Sequence, residues 1–91
     1  MNLNDPWTYS ERGLAWEMKA EYEKAVSDHT RAIELNPGFA GNYSNRALAL
    51  EKAGDLKKAL DDAQKALNLQ PNNETFKNQV IRLKNLLKTP Q

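Results

Sequence analysis

The sequence repeats itself with a period of 34 residues. When residues 6–39 are aligned with residues 40–73, 12 of the 34 positions are identical. The identical pairs include Tyr9/Tyr43, Ala25/Ala59, Asp28/Asp62, Ala32/Ala66 and Pro37/Pro71. This agreement at one offset indicates a duplicated unit. A unit of this length cannot bury its apolar face alone, so neighbouring units are expected to stack on one another.

The first unit is predicted to form two helices. Asp5 can cap a helix that begins at Pro6, where the missing N–H of proline costs nothing, and that helix covers about residues 7–18. Residues 22–35 then carry apolar side chains at helical spacing. Pro37 ends this helix, because the residue before a proline disfavours the α conformation.

The second unit repeats this arrangement, with helices predicted over about 40–53 and 56–69. Between them, Gly54 suits the end of a helix and Asp55 the start of the next. A last amphipathic helix is predicted over 74–88.

Composition supports helices and excludes several functions. The chain has 91 residues, which allows one domain, and the absence of cysteine excludes disulfides, thiolate metal sites and cysteine nucleophiles. Its 13 basic and 12 acidic side chains give a net charge of +1, which argues against a strong nucleic-acid binder. No long apolar run is available to cross a membrane, and no signal peptide is evident. A cytoplasmic location is therefore expected.

The two-helix unit resembles the tetratricopeptide repeat. Pro6 and Ala40 are counted as the first residues of the two repeats. The large residues that the family expects then fall at Tyr9 and Tyr43, Trp16 and Leu50, and Tyr22 and Leu56. Its small residues fall at Gly13 and Ala47, Ala25 and Ala59, and Ala32 and Ala66, and its closing proline at Pro37 and Pro71. The resemblance implies an all-α, right-handed α-solenoid of antiparallel helix pairs with five helices. The implied division is a lead-in at 1–5, repeats at 6–39 and 40–73, a capping helix at 74–88 and a tail at 89–91.

Two departures from the family pattern have structural consequences. Arg12 and Arg46 replace the usual leucine, and each lies 16 residues before an aspartate, Asp28 or Asp62. We expect a bridge between the two helices of each unit, with separately solvated charges as the alternative. Ala20 stands where the second unit has glycine, and a left-handed conformation there would cost about 1–2 kcal/mol.

Catalysis is not expected. His29 is the only histidine, and its helical neighbours are apolar, so a semi-buried packing role is expected rather than metal binding or action as a base. The chain has no glycine-rich phosphate loop and no serine in a nucleophile-elbow context. No enzyme activity, metal or cofactor is predicted.

The family resemblance implies a concave groove, lined by the first helix of each unit, that binds a peptide segment or a partner helix. The predicted binding residues are Trp7, Ser10, Leu14, Glu17, Ser44, Asn45, Leu48, Asn78 and Arg82. Residues 1–73 carry a net charge of −2 and residues 74–91 carry +3, so the last helix either attracts an acidic segment or is simply a solvated face.

One subtype of the family binds the C-terminal carboxylate of chaperone tails through basic and asparagine residues. Only Asn45 matches that pattern; its basic positions hold Ser10, Thr75 and Gln79, and Leu14 replaces its other asparagine. A chaperone-tail cochaperone is therefore not predicted.

Other functions remain open at this stage. Self-association is one, through Trp7 and Trp16 at one end of the stack and Leu86 and Leu87 at the other. The chain is alternatively an excised or designed repeat fragment of a larger scaffold, since such repeats occur in both forms. RNA binding is a weak third alternative, because the chain is nearly neutral and Arg82 is the one basic residue expected in the groove.

Overall fold

The computed structural model describes residues 4–88, and all regular structure in that range is helical. The helices are α1 (Pro6–Met18), α2 (Tyr22–Leu35), α3 (Ala40–Lys52), α4 (Leu56–Leu69) and α5 (Glu74–Lys88). Each begins and ends within one residue of its prediction. The predicted tail at 89–91 and the first three residues of the lead-in lie outside the described residues. No helix within residues 4–88 is both long enough and apolar enough to cross a membrane.

Side-chain caps start three of the helices. The carboxylate of Asp5 accepts a hydrogen bond from the Trp7 backbone N–H, and that of Asp55 accepts one from the Lys58 N–H, as predicted. Asn73 does the same for α5, since its side-chain oxygen lies 3.1 Å from the Phe76 nitrogen. Each of these bonds satisfies a backbone donor that has no partner inside its helix.

The turns within the two units share one backbone geometry. Ala20 has a φ of 60° and Gly54 a φ of 93°, so both are left-handed. In each turn the next residue donates its N–H to a carbonyl five residues earlier, from Glu21 to Trp16 and from Asp55 to Leu50. This is the pattern that closes a helix with a left-handed residue. Ala20 therefore has the left-handed conformation that is costly for a residue with a Cβ.

The helices pack in chain order, α1 on α2, α2 on α3, α3 on α4 and α4 on α5. Four alanines, Ala25, Ala32, Ala59 and Ala66, have no exposed surface. Two buried clusters fill the space between the elements: one comprises Ile33, Ala40, Tyr43, Ala66 and Phe76, and the other Ala47, Ala59, Ala63, Val80 and Leu83. The first cluster draws on α2 to α5 and the second on α3, α4 and α5, so both extend beyond a single helix pair to the element that follows it.

An arginine bridges the two helices of each unit. The Nε and Nη2 atoms of Arg12 lie 2.7 Å from the carboxylate oxygens of Asp28. In unit two, the corresponding atoms of Arg46 lie 2.6 and 2.8 Å from Asp62. Both aspartates are buried, and a paired arginine supplies the charge and the donors that a buried carboxylate needs. The two predicted bridges are confirmed.

The two units use different residues at the same point of contact between their first and second helices. In unit one, His29 is fully buried and lies against Gly13, where an added Cβ would sit 2.6 Å from the imidazole Cε1. In unit two, the equivalent residues are Ala47 and Ala63, both fully buried. The glycine makes room for the ring, so the packing role predicted for His29 is confirmed. Neither ring nitrogen has a hydrogen-bond partner among residues 4–88.

We predict that Ala20→Gly raises the melting temperature. Relief of the left-handed alanine is worth about 1 kcal/mol, which corresponds to roughly 4–8 °C for a domain of this size. Gly54→Ala is the reciprocal variant and is expected to lower it, because Gly54 has a φ of 93°. Thermal unfolding followed by circular dichroism measures both. An unchanged or lower value for Ala20→Gly contradicts the prediction.

A double-mutant cycle tests the Gly13–His29 contact. Gly13→Ala is expected to destabilise the fold by about 1–3 kcal/mol through the clash with the ring, and His29→Ala by about 2–3 kcal/mol through the cavity it leaves. Combining them recreates the alanine pair of unit two. The double variant should therefore be at least 1 kcal/mol more stable than the sum of the single changes predicts. Urea unfolding provides the free energies, and additivity would refute the packing argument.

Stability should also fall with acid because of His29. Burial lowers the pKa of His29 from 6.5 to about 4; Asp28 opposes this shift and Arg46 adds to it. Between these two pH values the unfolded chain binds a proton that the folded chain does not. The free energy of unfolding should thus be insensitive to His29 above about pH 6.5 and fall below it by up to 1.4 kcal/mol per pH unit.

The Gly13→Ala/His29→Ala double variant is the control for this pH effect, since it lacks the imidazole and keeps the contact filled. The difference in unfolding free energy between the two proteins, measured from pH 8 to about pH 4, isolates the histidine from the carboxylates. A difference that does not change with pH would show that His29 is not held neutral by the fold.

Candidate functional site

Side chains of α1, α3 and α5 line a continuous groove. Its larger part has a volume of about 500 Å³ and is lined by Trp7, Ser10, Glu11, Leu14, Phe39, Gly41, Ser44, Asn45, Leu48, Thr75 and Phe76. Its smaller part, of about 340 Å³, is lined by Ser44, Leu48, Thr75, Asn78, Gln79 and Arg82. Because the two parts share Ser44, Leu48 and Thr75, we treat them as one surface, the candidate groove.

Eight of the nine residues predicted from the sequence line the candidate groove. Glu17 does not. Its side chain is only 8% exposed, and its Oε1 lies 3.6 Å from the Nζ of Lys52 on α3. Spacing along α1 placed Glu17 one turn beyond Leu14, but the contact with Lys52 takes its carboxylate into the packing between the helices. The expectation of an acidic groove residue at this position is corrected accordingly.

The apolar part of the groove is built around Trp7 and two leucines. The indole of Trp7 meets the ring of Phe39 edge to face, with centroids 5.0 Å apart and planes at 67°. Trp7 remains 56% exposed and Leu14 41% exposed, while Leu48 is half-buried. Large apolar side chains left accessible in a concave surface are typical of binding sites.

Phe39 is a groove residue that the sequence reasoning missed. It precedes α3, whereas the predicted groove residues were assigned to the first helix of each unit and to the last helix. The available signal was Gly41, a glycine inside a helix: a Cβ there would lie 2.8 Å from the Phe39 ring. Glycine at this position therefore permits the aromatic ring to fold over the start of α3.

The polar residues in the wall of the groove mostly hold the helices together. The hydroxyl of Ser10 donates to the side-chain oxygen of Asn42 at 3.2 Å, joining α1 to α3. Ser44 donates to Gln79 Oε1 at 2.8 Å, and Gln79 Nε2 donates back to the Ser44 carbonyl at 3.2 Å, joining α3 to α5. All four side chains are buried. The two serines border the groove as predicted, but their hydroxyl protons are already engaged.

Two side-chain amides in the groove are available for hydrogen bonds to a ligand. Asn45 is half-buried and Asn78 is exposed, and neither side chain has a hydrogen-bond partner within the described part of the chain. An amide offers both a donor and an acceptor, so each suits the backbone of an extended segment.

The basic residue of the groove is paired. The Arg82 guanidinium forms a hydrogen bond and ion pair with the carboxylate of Glu51 on α3. This bond raises the pKa of Arg82 above its ordinary value. The cation predicted to face a ligand is thus already balanced by an acidic neighbour.

The two ends of the stack are unlike. Trp16, predicted to be exposed at the first end, is half-buried, with the Nζ of Lys24 lying 4.6 Å from its ring centroid. At the other end, Ile81 on α5 is 56% exposed, and Leu86 and Leu87 are each 37% exposed. The apolar surface expected at the first end for self-association is therefore smaller than predicted.

The five stacked helices and their concave groove define the chain as a helical-repeat solenoid. The sequence profile of the tetratricopeptide repeat matches residues 43–73. A comparison with curated protein sequences finds no significant match. The structure nevertheless matches many solved tetratricopeptide domains.

Two of these domains are described with bound peptides, and a third is described in a complex. The first tetratricopeptide domain of Spaghetti (RPAP3), bound to the HSP90 peptide SRMEEVD, is 27% identical with a TM-score of 0.89, covering 94% of this chain and 68% of that one. The second domain of human RPAP3, in complex with the HSP70 peptide SGPTIEEVD, is 26% identical with a TM-score of 0.83, covering 88% and 67%. The TPR2B domain of yeast Sti1, in a complex with Hsp70, is 28% identical with a TM-score of 0.86, covering 91% and 66%.

Residues 43–73 therefore match the tetratricopeptide repeat, and the five helices, two pairs followed by a last helix, have the fold of tetratricopeptide domains. The predicted right-handed solenoid of antiparallel helix pairs is confirmed. The chain spans about two thirds of the length of the three domains named above.

Proposed function

We propose that this domain is a protein-interaction scaffold that binds a peptide segment or a partner helix in the candidate groove. One observation carries the proposal: Trp7, Leu14 and Leu48 line a single concave surface, with Trp7 and Leu14 more than a third exposed. Burying such side chains against a ligand supplies about 1.5–3 kcal/mol each. The free amides of Asn45 and Asn78 lie in the same groove and suit backbone recognition.

Structural likeness supports a peptide as the class of ligand. Two of the similar domains are described in complex with HSP90 or HSP70 peptides, and they are 26–27% identical to this chain. We do not propose that this chain binds the chaperone tails themselves. Ser10, Thr75 and Gln79 stand where that recognition uses basic residues, and two of them, Ser10 and Gln79, are buried in contacts between helices.

Several narrower expectations stay predictions: that the chain is not an enzyme, that it works in the cytoplasm, and that it binds neither nucleic acid nor membrane. Self-association is the second candidate function. Its support is confined to α5, where Ile81, Leu86 and Leu87 are exposed.

A display library of random linear peptides tests the groove. Peptides of about ten residues are long enough to span it when extended. Binders selected on the wild-type domain are expected to lose about tenfold or more in affinity for Leu14→Gln, because the variant forfeits apolar burial at the centre of the groove. Ile81→Gln is the matched control, since Ile81 is 56% exposed outside the groove, and it should bind the same peptides unchanged.

Both variants are first checked by circular dichroism for an unaltered melting curve. Chemical-shift changes caused by a selected peptide should cluster on Leu14, Asn45, Leu48, Asn78 and Arg82. Failure to enrich any peptide, or shifts confined to α2 and α4, would overturn the proposal.

A further inference from the structure

Charge in the candidate groove is unevenly compensated. Glu11 and Arg82 are the two charged residues that line it. Arg82 is paired with Glu51. Glu11 is exposed on α1 and has no ion pair among the residues that the structure describes. The groove therefore presents one uncompensated negative charge and no uncompensated positive one.

Glu11 lies beside the exposed indole of Trp7. The two residues are four apart on α1, which places them one turn apart on the same face, and both line the larger part of the groove. A cation held between a carboxylate and an aromatic face gains from both at once. A cation–π contact of this kind already occurs elsewhere in the chain, where the Nζ of Lys24 lies 4.6 Å from the ring centroid of Trp16.

An anionic ligand would find few partners in the same groove. The amide of Gln79 both accepts from and donates to Ser44, and the hydroxyl of Ser10 donates to Asn42. Apart from the paired guanidinium of Arg82, the donors left in the described part of the groove are neutral: the amides of Asn45 and Asn78, the hydroxyl of Thr75 and the indole N–H of Trp7. A carboxylate entering the larger part of the groove would approach Glu11 without a free cation to offset it, which is unfavourable.

We propose that the candidate groove selects a segment carrying a lysine or arginine next to an apolar side chain. The cation lies between Glu11 and Trp7, and the apolar side chain packs between Leu14 and Leu48. This inference rests on the proposed peptide binding and adds the charge of the ligand to it. The selected ligand differs from SRMEEVD and SGPTIEEVD, the acidic peptides bound by the similar domains.

The charge of the peptides enriched from the random library tests this preference. Lysine and arginine should be enriched about twofold or more over the input on wild type, a bias that electrostatic complementarity produces when one charge decides the fit. The bias should disappear on Glu11→Gln and reverse towards aspartate and glutamate on Glu11→Lys. The whole chain has a net charge of +1, so non-specific attraction would favour acidic peptides and cannot produce the expected result.

Glu23→Gln is the matched control, because Glu23 is an exposed glutamate on α2, outside the groove. This variant should leave the bias intact.

Trp7→Leu keeps an apolar side chain but should lower the affinity for the enriched basic peptides. Titration of SRMEEVD should leave the groove resonances unshifted. Enrichment without a basic bias, a bias that survives Glu11→Gln, or groove binding of SRMEEVD overturns this inference alone. Failure to enrich any peptide overturns the proposed function with it.

Discussion

Close approach of the two helices within each unit is the contact on which the rest of the structure depends. Ala25 and Ala32 in the first unit, and Ala59 and Ala66 in the second, have no exposed surface, so the paired backbones come near enough to exclude other side chains. The Arg–Asp bridges cross the same contact in both units. Any larger side chain at the alanines would separate the pair, and the following helix would lose the surface on which it packs.

The two units show that this contact specifies a volume rather than particular residues. Unit one places the bulk on α2 as His29 and leaves Gly13 bare, while unit two divides it between Ala47 and Ala63. The first solution has a cost, because the buried imidazole has no hydrogen-bond partner among residues 4–88. Position-by-position comparison with the repeat family counts Gly13 as one of its small residues and considers His29 separately. The packing shows that they compensate each other.

Most of the fold was predictable because it depends on periodicity and on the register between repeats. The helix ends, the two bridges and the left-handed Ala20 follow from capping residues and from the spacing within a repeated unit. The groove residues came from the family resemblance, and eight of the nine line the candidate groove. The errors lie where a tertiary partner decides the position of a side chain. Glu17 is drawn into the helix packing by Lys52. Trp16 is partly covered at its end of the stack, with Lys24 over its ring. Phe39 lies outside the helices and reaches the groove only because residue 41 is glycine.

The stability of the stack and the chemistry of its groove are determined by the same residues. Ser10 and Asn42 join α1 to α3, and Ser44 with Gln79 joins α3 to α5. The Glu51–Arg82 pair adds a charged contact across the second of these joints. These contacts occupy polar groups of the groove wall, so the surface left for a ligand is largely apolar, with the amides of Asn45 and Asn78, the hydroxyl of Thr75 and the carboxylate of Glu11. An anion that took the Arg82 guanidinium from Glu51 would remove a contact that attaches the last helix. Recognition of an acidic ligand through Arg82 would therefore compete with the attachment of α5.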